Sequence, residues 1–465
     1  MKLDLVKFDL AKKRMPMILA IAIFMQMLDS TILNTSLPAI AKDLHESPLN
    51  MQNAIISYVL TLALFMPVSG FLADKFGTRK IFVFALILFA LGSLFCSLSQ
   101  SLTHLVLARV IQGIGGSLMT PVGKLALIKT FDKKELMVAM NYANIPALIG
   151  PVLGPLVGGY LVEYLSWHWV FLINIPIALL GILLSIKYMP DYHSEVIDFD
   201  LKGFLIFASA SLALSVAIEW LGNAKNITPV LLVFLSGFML LYYYFQHAKK
   251  DNNPIFPYNL FQVRTFRVGI LGNLATRLGI SSISLLIPLM IQVAYHQSPV
   301  VSGWIIAPMA LTAMFGKTVA VKILKQLGFR KTLIVNTLVI GVLICCLAIP
   351  NSQTSIYWYV PIISLLGFFN TIQFTSMNSI SIADLRPNHT SSGNSLLSVN
   401  QQLAIGFGIS FGLIVLKLFE DSTIIHGQII AAFRYTFLIM GIITMLSSLV
   451  FRRLQRKNGE NIQAE

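Results

Sequence analysis

Long apolar runs separated by short polar loops follow one another along the whole chain. A helix needs about 20 mostly apolar residues to cross roughly 30 Å of hydrocarbon. By that criterion the pattern predicts fourteen membrane-spanning helices, at 15–38, 52–73, 81–99, 104–126, 137–162, 167–188, 201–220, 228–247, 268–294, 300–323, 332–349, 356–383, 394–418 and 431–451. We therefore expect an all-α multi-pass membrane protein. An even number of spans places both termini on the same side.

Composition and charge support a membrane protein and give its orientation. The 465 residues are 56% hydrophobic and 12% charged, whereas soluble domains carry about 25% charged residues. A net charge of +14 would suit a nucleic-acid-binding protein, but most of the basic residues lie in the short loops on one side. The opposite loops hold only Lys42, Lys225 and Lys417. The positive-inside rule then predicts cytosolic termini, with a lipid bilayer and no nucleic acid as partner.

An internal repeat divides the chain. "DKFGTRK" at 74–80 reappears as "KQLGFRK" at 325–331, and each stretch follows the second span of a six-span group. The repeat predicts two pseudo-symmetric six-helix bundles, at residues 1–190 and 251–465, with an inserted two-helix hairpin at 191–250. The second bundle would end in a cytosolic tail. Repeats of six spans are typical of transporters that bind substrate near the bilayer midplane.

The loop after the second predicted span carries "GFLADKFGTRK". We expect its first glycine to allow close helix approach, its second to allow a tight turn, and its acid to face the two basic residues that follow. A simple positively charged loop is the alternative, but it does not explain the Gly-x-x-x-Asp-x-x-Gly spacing. The stretch resembles the loop motif between spans two and three of the major facilitator superfamily. That resemblance implies a cytosolic gate formed by Gly70, Asp74, Gly77, Arg79 and Lys80.

The fourth and fifth spans carry two further motifs. "RVIQGIGGS" begins at Arg109, and the 3.6-residue period places Arg109, Gln112, Gly113, Gly116 and Thr120 on one helical face. An arginine inside the membrane usually faces a cavity or a partner, and snorkelling to the outer surface is the alternative.

The fifth span contains "GPVLGPLVGG", a ridge of small residues that allows helix backbones to touch beside prolines that bend the helix. Packing alone would explain the ridge. Ridge and prolines together resemble the superfamily's antiporter motif and imply an exporter, with motif residues Gly150, Pro151, Gly154, Pro155, Gly158 and Gly159. "LDSTILNTSLP" at 28–38 and "WHWVFLINIP" at 167–176 resemble the fourteen-span drug:proton antiporter branch, the EmrB/QacA-like group.

Asp29 is the only carboxylate deep in any predicted span, and it shares an arc of its helix with Gln26, Ser30, Asn34 and Ser36. A structural acid bonded to a neighbouring helix is one reading. The other is a proton carrier, since burial favours the protonated acid while a nearby arginine favours the charged one. In the superfamily fold the first and fourth spans both line the N-terminal half of the cavity, so we expect Asp29 and Arg109 to act together in proton coupling.

Taken together, these features predict a proton-coupled antiporter that exports small lipophilic or cationic compounds from the cytosol by alternating access. A single endogenous metabolite or siderophore is the alternative cargo, and a non-transporting membrane sensor is the rival from another class. We expect no enzyme activity, no cofactor and no metal, since the proton gradient drives the cycle. We expect a monomer in the bacterial inner membrane, with small-molecule substrate and protons as partners. The expected substrate cavity consists of Gln26, Asn34, Gln112, Asn144, Asn273, Arg277, Asn370, Gln373 and Gln401.

Overall fold

The computed structural model describes residues 10–194, 198–222, 226–351, 353–386, 389–421, 428–455 and 458. Every regular element in these ranges is helical. This is the expected outcome for apolar segments in lipid, where a helix satisfies its own backbone hydrogen bonds. Twelve of the described helices are long and apolar enough to cross a membrane, and a bent pair gives a thirteenth. The predicted all-α multi-pass fold is confirmed.

The chain groups into two compact units, the first of which runs to Asp198 and also includes Ser298–Ala307. Its helices are α1 (Leu10–Asp43), α2 (Gln52–Phe65), α3 (Val68–Phe76), α4 (Thr78–Ser97), α5 (Leu102–Thr130), α6 (Lys133–Tyr164), α7 (Trp169–Leu172) and α8 (Asn174–Tyr188).

The second predicted span is a bent pair of helices rather than one straight helix. The axes of α2 and α3 differ by 58°, and Pro67 stands immediately before α3. Proline has no N–H to continue the hydrogen-bond ladder of α2, and its ring clashes with the preceding turn. The bend sets the direction in which α3 carries Asp74, and this matters for the loop motif described below.

The second unit contains Phe199–Gln297 and continues from Pro308. Its helices are α9 (Leu201–Leu221), α10 (Ile227–Lys250), α11 (Arg264–Ile280), α12 (Ile283–Leu289), α13 (Pro299–Cys346, which begins within the first unit), α14 (Tyr359–Ala383), α15 (Thr390–Glu420) and α16 (Ile429–Phe451). The predicted ninth span is interrupted: α11 is followed by α12 and then by a π-helical turn, Met290–Ala294.

Helix α13 is 48 residues long, which corresponds to about 72 Å at 1.5 Å per residue and exceeds twice the hydrocarbon thickness. Gly328 breaks it with a φ of 72° and a ψ of 163°. The two predicted spans 300–323 and 332–349 lie on either side of this residue. The count of fourteen spans and the cytosolic position of both termini stay predictions.

Helices α9 and α10 form the expected hairpin. A Cβ at Gly237 of α10 would lie 2.8 Å from the side chain of Leu214 in α9, so the two helices approach closely. A Cβ added at Gly222, the residue after α9, would lie 3.0 Å from Ile414 Cγ1 of α15. The hairpin therefore packs on a helix of the second unit. The three-part domain division at residues 190 and 250 stays a prediction.

Candidate proton and substrate site

Asp29 accepts hydrogen bonds from three different side chains. Arg109 Nη1 lies 2.7 Å from Oδ2, while Gln112 Nε2 and Asn174 Nδ2 donate to Oδ1 at 2.8 Å and 3.1 Å. These residues come from α1, α5 and α8, and Asp29 is 0% exposed. The predicted proximity of Asp29 and Arg109 is therefore a direct ion pair. Their role in proton coupling stays a prediction.

The Arg109 guanidinium has several partners among the described residues. Besides the Asp29 contact, Nε donates to the Ala54 carbonyl oxygen at 3.1 Å and Nη1 to Gln112 Oε1 at 2.6 Å. Its plane lies over the ring of Tyr58, 4.1 Å from the centroid, where the ring face attracts a cation. With 1% exposure, Arg109 turns inward, so the snorkelling alternative is wrong. The pair is buried without net charge, the arrangement that buried ions require.

Two members of this network, Ser93 and Asn174, were not predicted from the sequence as site residues. Ser93 Oγ accepts from Gln112 Nε2 at 2.9 Å and from Asn174 Nδ2 at 3.4 Å, and Asn174 is the first residue of α8. Asn174 lies in the "WHWVFLINIP" stretch, which was used only as a family motif, although an amide inside so apolar a run was a usable sign. A lone serine in a span carries no such sign, because serine hydroxyls commonly bond to their own helix.

Only part of the predicted polar arc of α1 contacts polar side chains of another helix. Gln26 Oε1 accepts from Thr120 Oγ1 of α5 at 2.6 Å, so the polar faces of the two helices meet there. Ser30 and Ser36 instead donate to carbonyl oxygens of α1 itself, at 3.0 Å and 2.9 Å. Asn34 and Asn144 are half-buried. Their predicted place in the substrate cavity stays a prediction.

The glycine ridge of α6 packs against α1. An added Cβ would lie 2.8 Å from Met27 Cβ at Gly150, 2.8 Å from Thr31 Cβ at Gly154, and 2.5 Å from Thr35 Oγ1 at Gly158. The contacted residues advance along α1 by about one turn for each turn of α6. Pro151 and Pro155 lie within α6, which continues through them.

Gly159 faces a different neighbour. An added Cβ there would lie 2.6 Å from the Pro299 carbonyl oxygen at the start of α13. The predicted close packing at the antiporter motif is therefore present. The export role of the motif stays a prediction.

The loop motif differs from expectation in its contacts. Asp74 Oδ1 lies 3.0 Å from Lys129 Nζ of α5 rather than facing Arg79 or Lys80. Arg79 instead meets Asp191, whose Oδ1 accepts its backbone N–H at 3.0 Å and whose Oδ2 lies 3.9 Å from its guanidinium. An acid is favoured at Asp191 because the free N–H groups at the start of α4 attract negative charge. Lys80 is exposed.

The two glycines of the motif also differ. Gly77 ends α3 and begins α4 with a φ of +99°, and a Cβ there would collide with the Asp191 carboxylate, so the predicted tight turn is confirmed. Gly70 has no neighbouring atom within 4 Å of an added Cβ. The expected close helix approach at Gly70 is wrong, because Gly70 lies on an exposed face of α3.

The predicted cavity residues of the second unit form separate contacts. Arg277 Nε donates to Asn273 Oδ1 at 2.6 Å, one turn away on α11. Gln373 pairs with Asn336 and Thr337 of α13 at 2.8 Å and 2.7 Å. Gln401 Nε2 donates to Asn378 Oδ1 at 2.7 Å. Asn370 has a buried Oδ1 without a hydrogen-bond partner among the described residues.

One group of side chains in the described part of the chain has the spacing of metal ligands. Ligand atoms of Asp200, His247 and Asp251 all lie within 4.8 Å of one another. Asp200 Oδ1 accepts from the backbone N–H of Gly203 at 2.7 Å and lies 2.7 Å from His247 Nε2. These bonds cap α9 and tie it to α10. The expectation that the chain uses no metal and no cofactor stays a prediction.

The family model described as the Major Facilitator Superfamily matches residues 19–409, and it matches again over 269–465. The chain belongs to that superfamily. The second match falls on the half that carries the second copy of the loop motif. Membership makes the chain a multi-pass membrane transporter and not an enzyme.

Relatives in enterobacteria are similar along nearly their whole length. The chain is 40% identical over 454 residues to the putative multidrug resistance protein MdtD of Salmonella heidelberg, covering 96% of this chain and 95% of that protein. It is 39% identical to the protein of the same description from Escherichia coli, with the same coverage. Within the antiporter branch we expect the motifs to resemble the HsrA and MdtD transporters, and the likeness to MdtD is confirmed.

Solved structures confirm the fold. A bacterial homolog of the lysosomal transporter Spinster, inward-facing and occupied, matches with a TM-score of 0.67 at 14% identity, covering 96% of this chain and 97% of that chain. An auto-inhibited peptide transporter of the POT family matches with a TM-score of 0.69 at 14% identity, covering 95% and 98%. At such low identity these structures indicate the shared architecture alone.

Proposed function

We propose that this chain is a proton-driven exporter of small organic compounds, working as a monomer by alternating access in the bacterial inner membrane with both termini in the cytosol. The observation that carries the proposal is the fully buried Asp29 carboxylate, held by Arg109, Gln112 and Asn174. Related proteins described as multidrug resistance proteins support export as the direction. The glycine ridge of α6, packed on the helix that carries Asp29, supports antiport.

The Asp29 network gives the coupling a physical basis. Protonation of Asp29 removes the charge that compensates Arg109, and an uncompensated buried guanidinium is strongly unfavourable. Arg109 must then move toward water or another anion, which favours a different arrangement of α5 against α1. Loss of the proton restores the pair and the arrangement in which it is buried. A proton entering down the membrane potential supplies about 2.3 kcal/mol per 100 mV, which can drive a compound uphill.

Protonation and cargo binding are exclusive states of this cycle. From the outward-facing state Asp29 takes up a proton and the cargo leaves. In the inward-facing state Asp29 releases the proton to the cytosol and the cargo binds. Protons are exchanged for cargo because the transporter changes access with either a proton or a cargo molecule bound. The Asp29–Arg109 pair is broken in the protonated state and intact in the cargo-bound state.

Substrate-dependent proton movement in proteoliposomes tests the proposal. Ethidium and norfloxacin, two lipophilic compounds of different charge, would each be supplied against a reporter of internal pH. We expect proton flux opposite to compound flux with the natural chain, and none with Asp29→Asn. Asp132→Asn, which removes an exposed carboxylate before α6, is the matched control and should behave as the natural chain.

Two results would overturn the proposal. Coupled flux that persists in Asp29→Asn would remove Asp29 as the carrier. Binding of compounds without movement of compound or proton would instead support the membrane sensor. Folding and membrane insertion of each variant are checked by gel filtration of the purified protein.

A further inference from the structure

The second unit buries a cation without a counter-charge. Arg277 of α11 is 8% exposed, and its guanidinium lies over the ring of Phe374 in α14, 3.6 Å from the centroid. Its one described hydrogen bond runs from Nε to Asn273 Oδ1 at 2.6 Å. Its terminal nitrogens, Nη1 and Nη2, have no acceptor within the described ranges. An ion so buried is costly unless it is paired.

Arg109 shows what a compensated arginine looks like in the same chain. It also lies over an aromatic ring, but it bonds to a carboxylate, a backbone carbonyl and an amide oxygen. Arg277 has only the ring and the amide. The difference is two or more missing acceptors and one missing negative charge.

The described acids of the second unit lie at or near the ends of its spans; Glu219, for example, is two residues from the end of α9. Between Arg264 and Phe451 the sequence holds only three acidic residues, Asp384, Glu420 and Asp421. Asp384 directly follows α14, and the other two lie at the end of α15. All three therefore lie at helix ends, while Arg277 lies 13 residues into the apolar span Arg264–Ala294. The described residues give Arg277 no ion pair, so we look to a bound molecule for the compensating anion.

A second unpaired donor lies beside Arg277. Asn273 is 0% exposed, and its Nδ2 has no hydrogen-bond partner among the described residues. Its Oδ1 is already used by Arg277 Nε, so the free group of this amide is a donor. A buried amide without a partner costs free energy. Arg277 and Asn273 together present donors and positive charge, and they lack an acceptor.

We propose, on the basis of the transport function above, that Arg277 and Asn273 form a binding site for a carboxylate group of the exported compound. The guanidinium lies over the Phe374 ring, and its Nε is used by Asn273, which leaves the edge formed by Nη1 and Nη2 for a ligand. The in-plane donors of that edge match the two oxygens of a carboxylate. The amide of Asn273 adds a further donor. The site therefore selects cargo that carries a carboxylate, a class that differs from the lipophilic or cationic compounds that the sequence predicts.

Three probes of similar size and different charge test the site: benzoate, benzamide and benzylammonium. Each is added to the purified protein in detergent at constant ionic strength with chloride, and the shift of the thermal unfolding midpoint is measured. We expect benzoate alone to raise the midpoint. Arg277→Gln should weaken benzoate binding by about tenfold to a hundredfold, the loss of a charge-assisted hydrogen bond. Arg267→Gln, which removes an exposed arginine from the same helix, should leave it unchanged.

A second variant keeps the test decisive if Arg277→Gln does not fold. Asn273→Asp would place a carboxylate beside Arg277 within the chain itself. We expect it to raise the unfolding midpoint of the unliganded protein and to abolish the benzoate shift, because the internal acid occupies the site. An unchanged or lower midpoint with an intact benzoate shift would overturn the proposal. Equal shifts from all three probes, or a shift from chloride alone as large as that from benzoate, would do the same.

The two proposals fail separately. Proton exchange with ethidium, together with no benzoate shift, would leave coupled export standing and remove the carboxylate site. A benzoate shift that depends on Arg277, together with no proton exchange, would leave the site standing and remove the coupling.

Discussion

The amide nitrogen of Asn174 lies 3.1 Å from Oδ1 of Asp29, and the two residues are 145 positions apart. A hydrogen bond to an ionised group contributes about 1.5–3 kcal/mol. Asn174→Ala removes this donor and leaves the Asp29 carboxylate with Arg109 and Gln112 as its partners. We expect coupled efflux, measured in everted vesicles, to fall by about tenfold.

Asn141→Ala is the control for that experiment, because Asn141 is an exposed amide on α6. Its rate of coupled efflux should equal that of the natural chain. An unchanged rate in Asn174→Ala would mean that Arg109 and Gln112 alone are sufficient to hold the Asp29 carboxylate.

Gly154 and Gly70 provide a matched pair for the packing of the antiporter motif. An added methyl group at Gly154 collides with Thr31, whereas at Gly70 it meets no atom within 4 Å. Overpacking of this kind typically costs about 1–3 kcal/mol. We expect Gly154→Ala to lower the unfolding midpoint in detergent and Gly70→Ala to leave it unchanged or higher. Equal midpoints would show that α6 can shift away from α1 without loss.

Gly77 and Gly328 separate backbone strain from collision. Both have a positive φ, +99° and +72°, but only at Gly77 does an added Cβ meet other atoms, those of Asp191 and His193. Asparagine tolerates positive φ better than most residues. We expect Gly328→Asn to express and transport normally and Gly77→Asn to lose most transport. Comparable transport by both variants would contradict the tight packing of Asp191 at the start of α4.

Charge exchange tests which cation Asp74 binds. Its carboxylate lies 3.0 Å from Lys129 Nζ. We expect Asp74→Lys alone to impair transport, and the double variant Asp74→Lys with Lys129→Asp to recover a substantial part of it. Asp74→Lys with Lys80→Asp serves as the comparison and should not recover. Recovery by the Lys80 pair would instead support the contact that the sequence predicts.

The membrane spans were accessible from the sequence because they depend on local periodicity. The central ion pair was accessible because the resemblance to the superfamily places the first and fourth spans side by side. The 20-residue apolar runs predict the helices, and the 3.6-residue period places Arg109 and Gln112 on one face. Chain direction at a bend is not periodic, so the Lys129 partner of Asp74 could not be inferred. The contact between Asn174 and Asp29 likewise could not be predicted, because it depends on how the helices pack.

The uncompensated Arg277 shows a different limit. Its position in a span marked it as a candidate for the cavity, but a sequence does not reveal which of its nitrogens have acceptors. Only the structure shows that Arg109 has three hydrogen-bond acceptors among the described residues and that Arg277 has one.

The interlocking of α1 with the glycines of α6 has a mechanical consequence. Since Met27 and Thr31 sit against Gly150 and Gly154, α1 cannot slide along α6 except in steps of about one turn, or 5.4 Å. Nor can it rotate without forcing bulky side chains into a ridge that has no room for a methyl group. The position of Asp29 along α6 is thereby fixed. Water must come to an acid that is stationary within its bundle, first from one face of the membrane and then from the other.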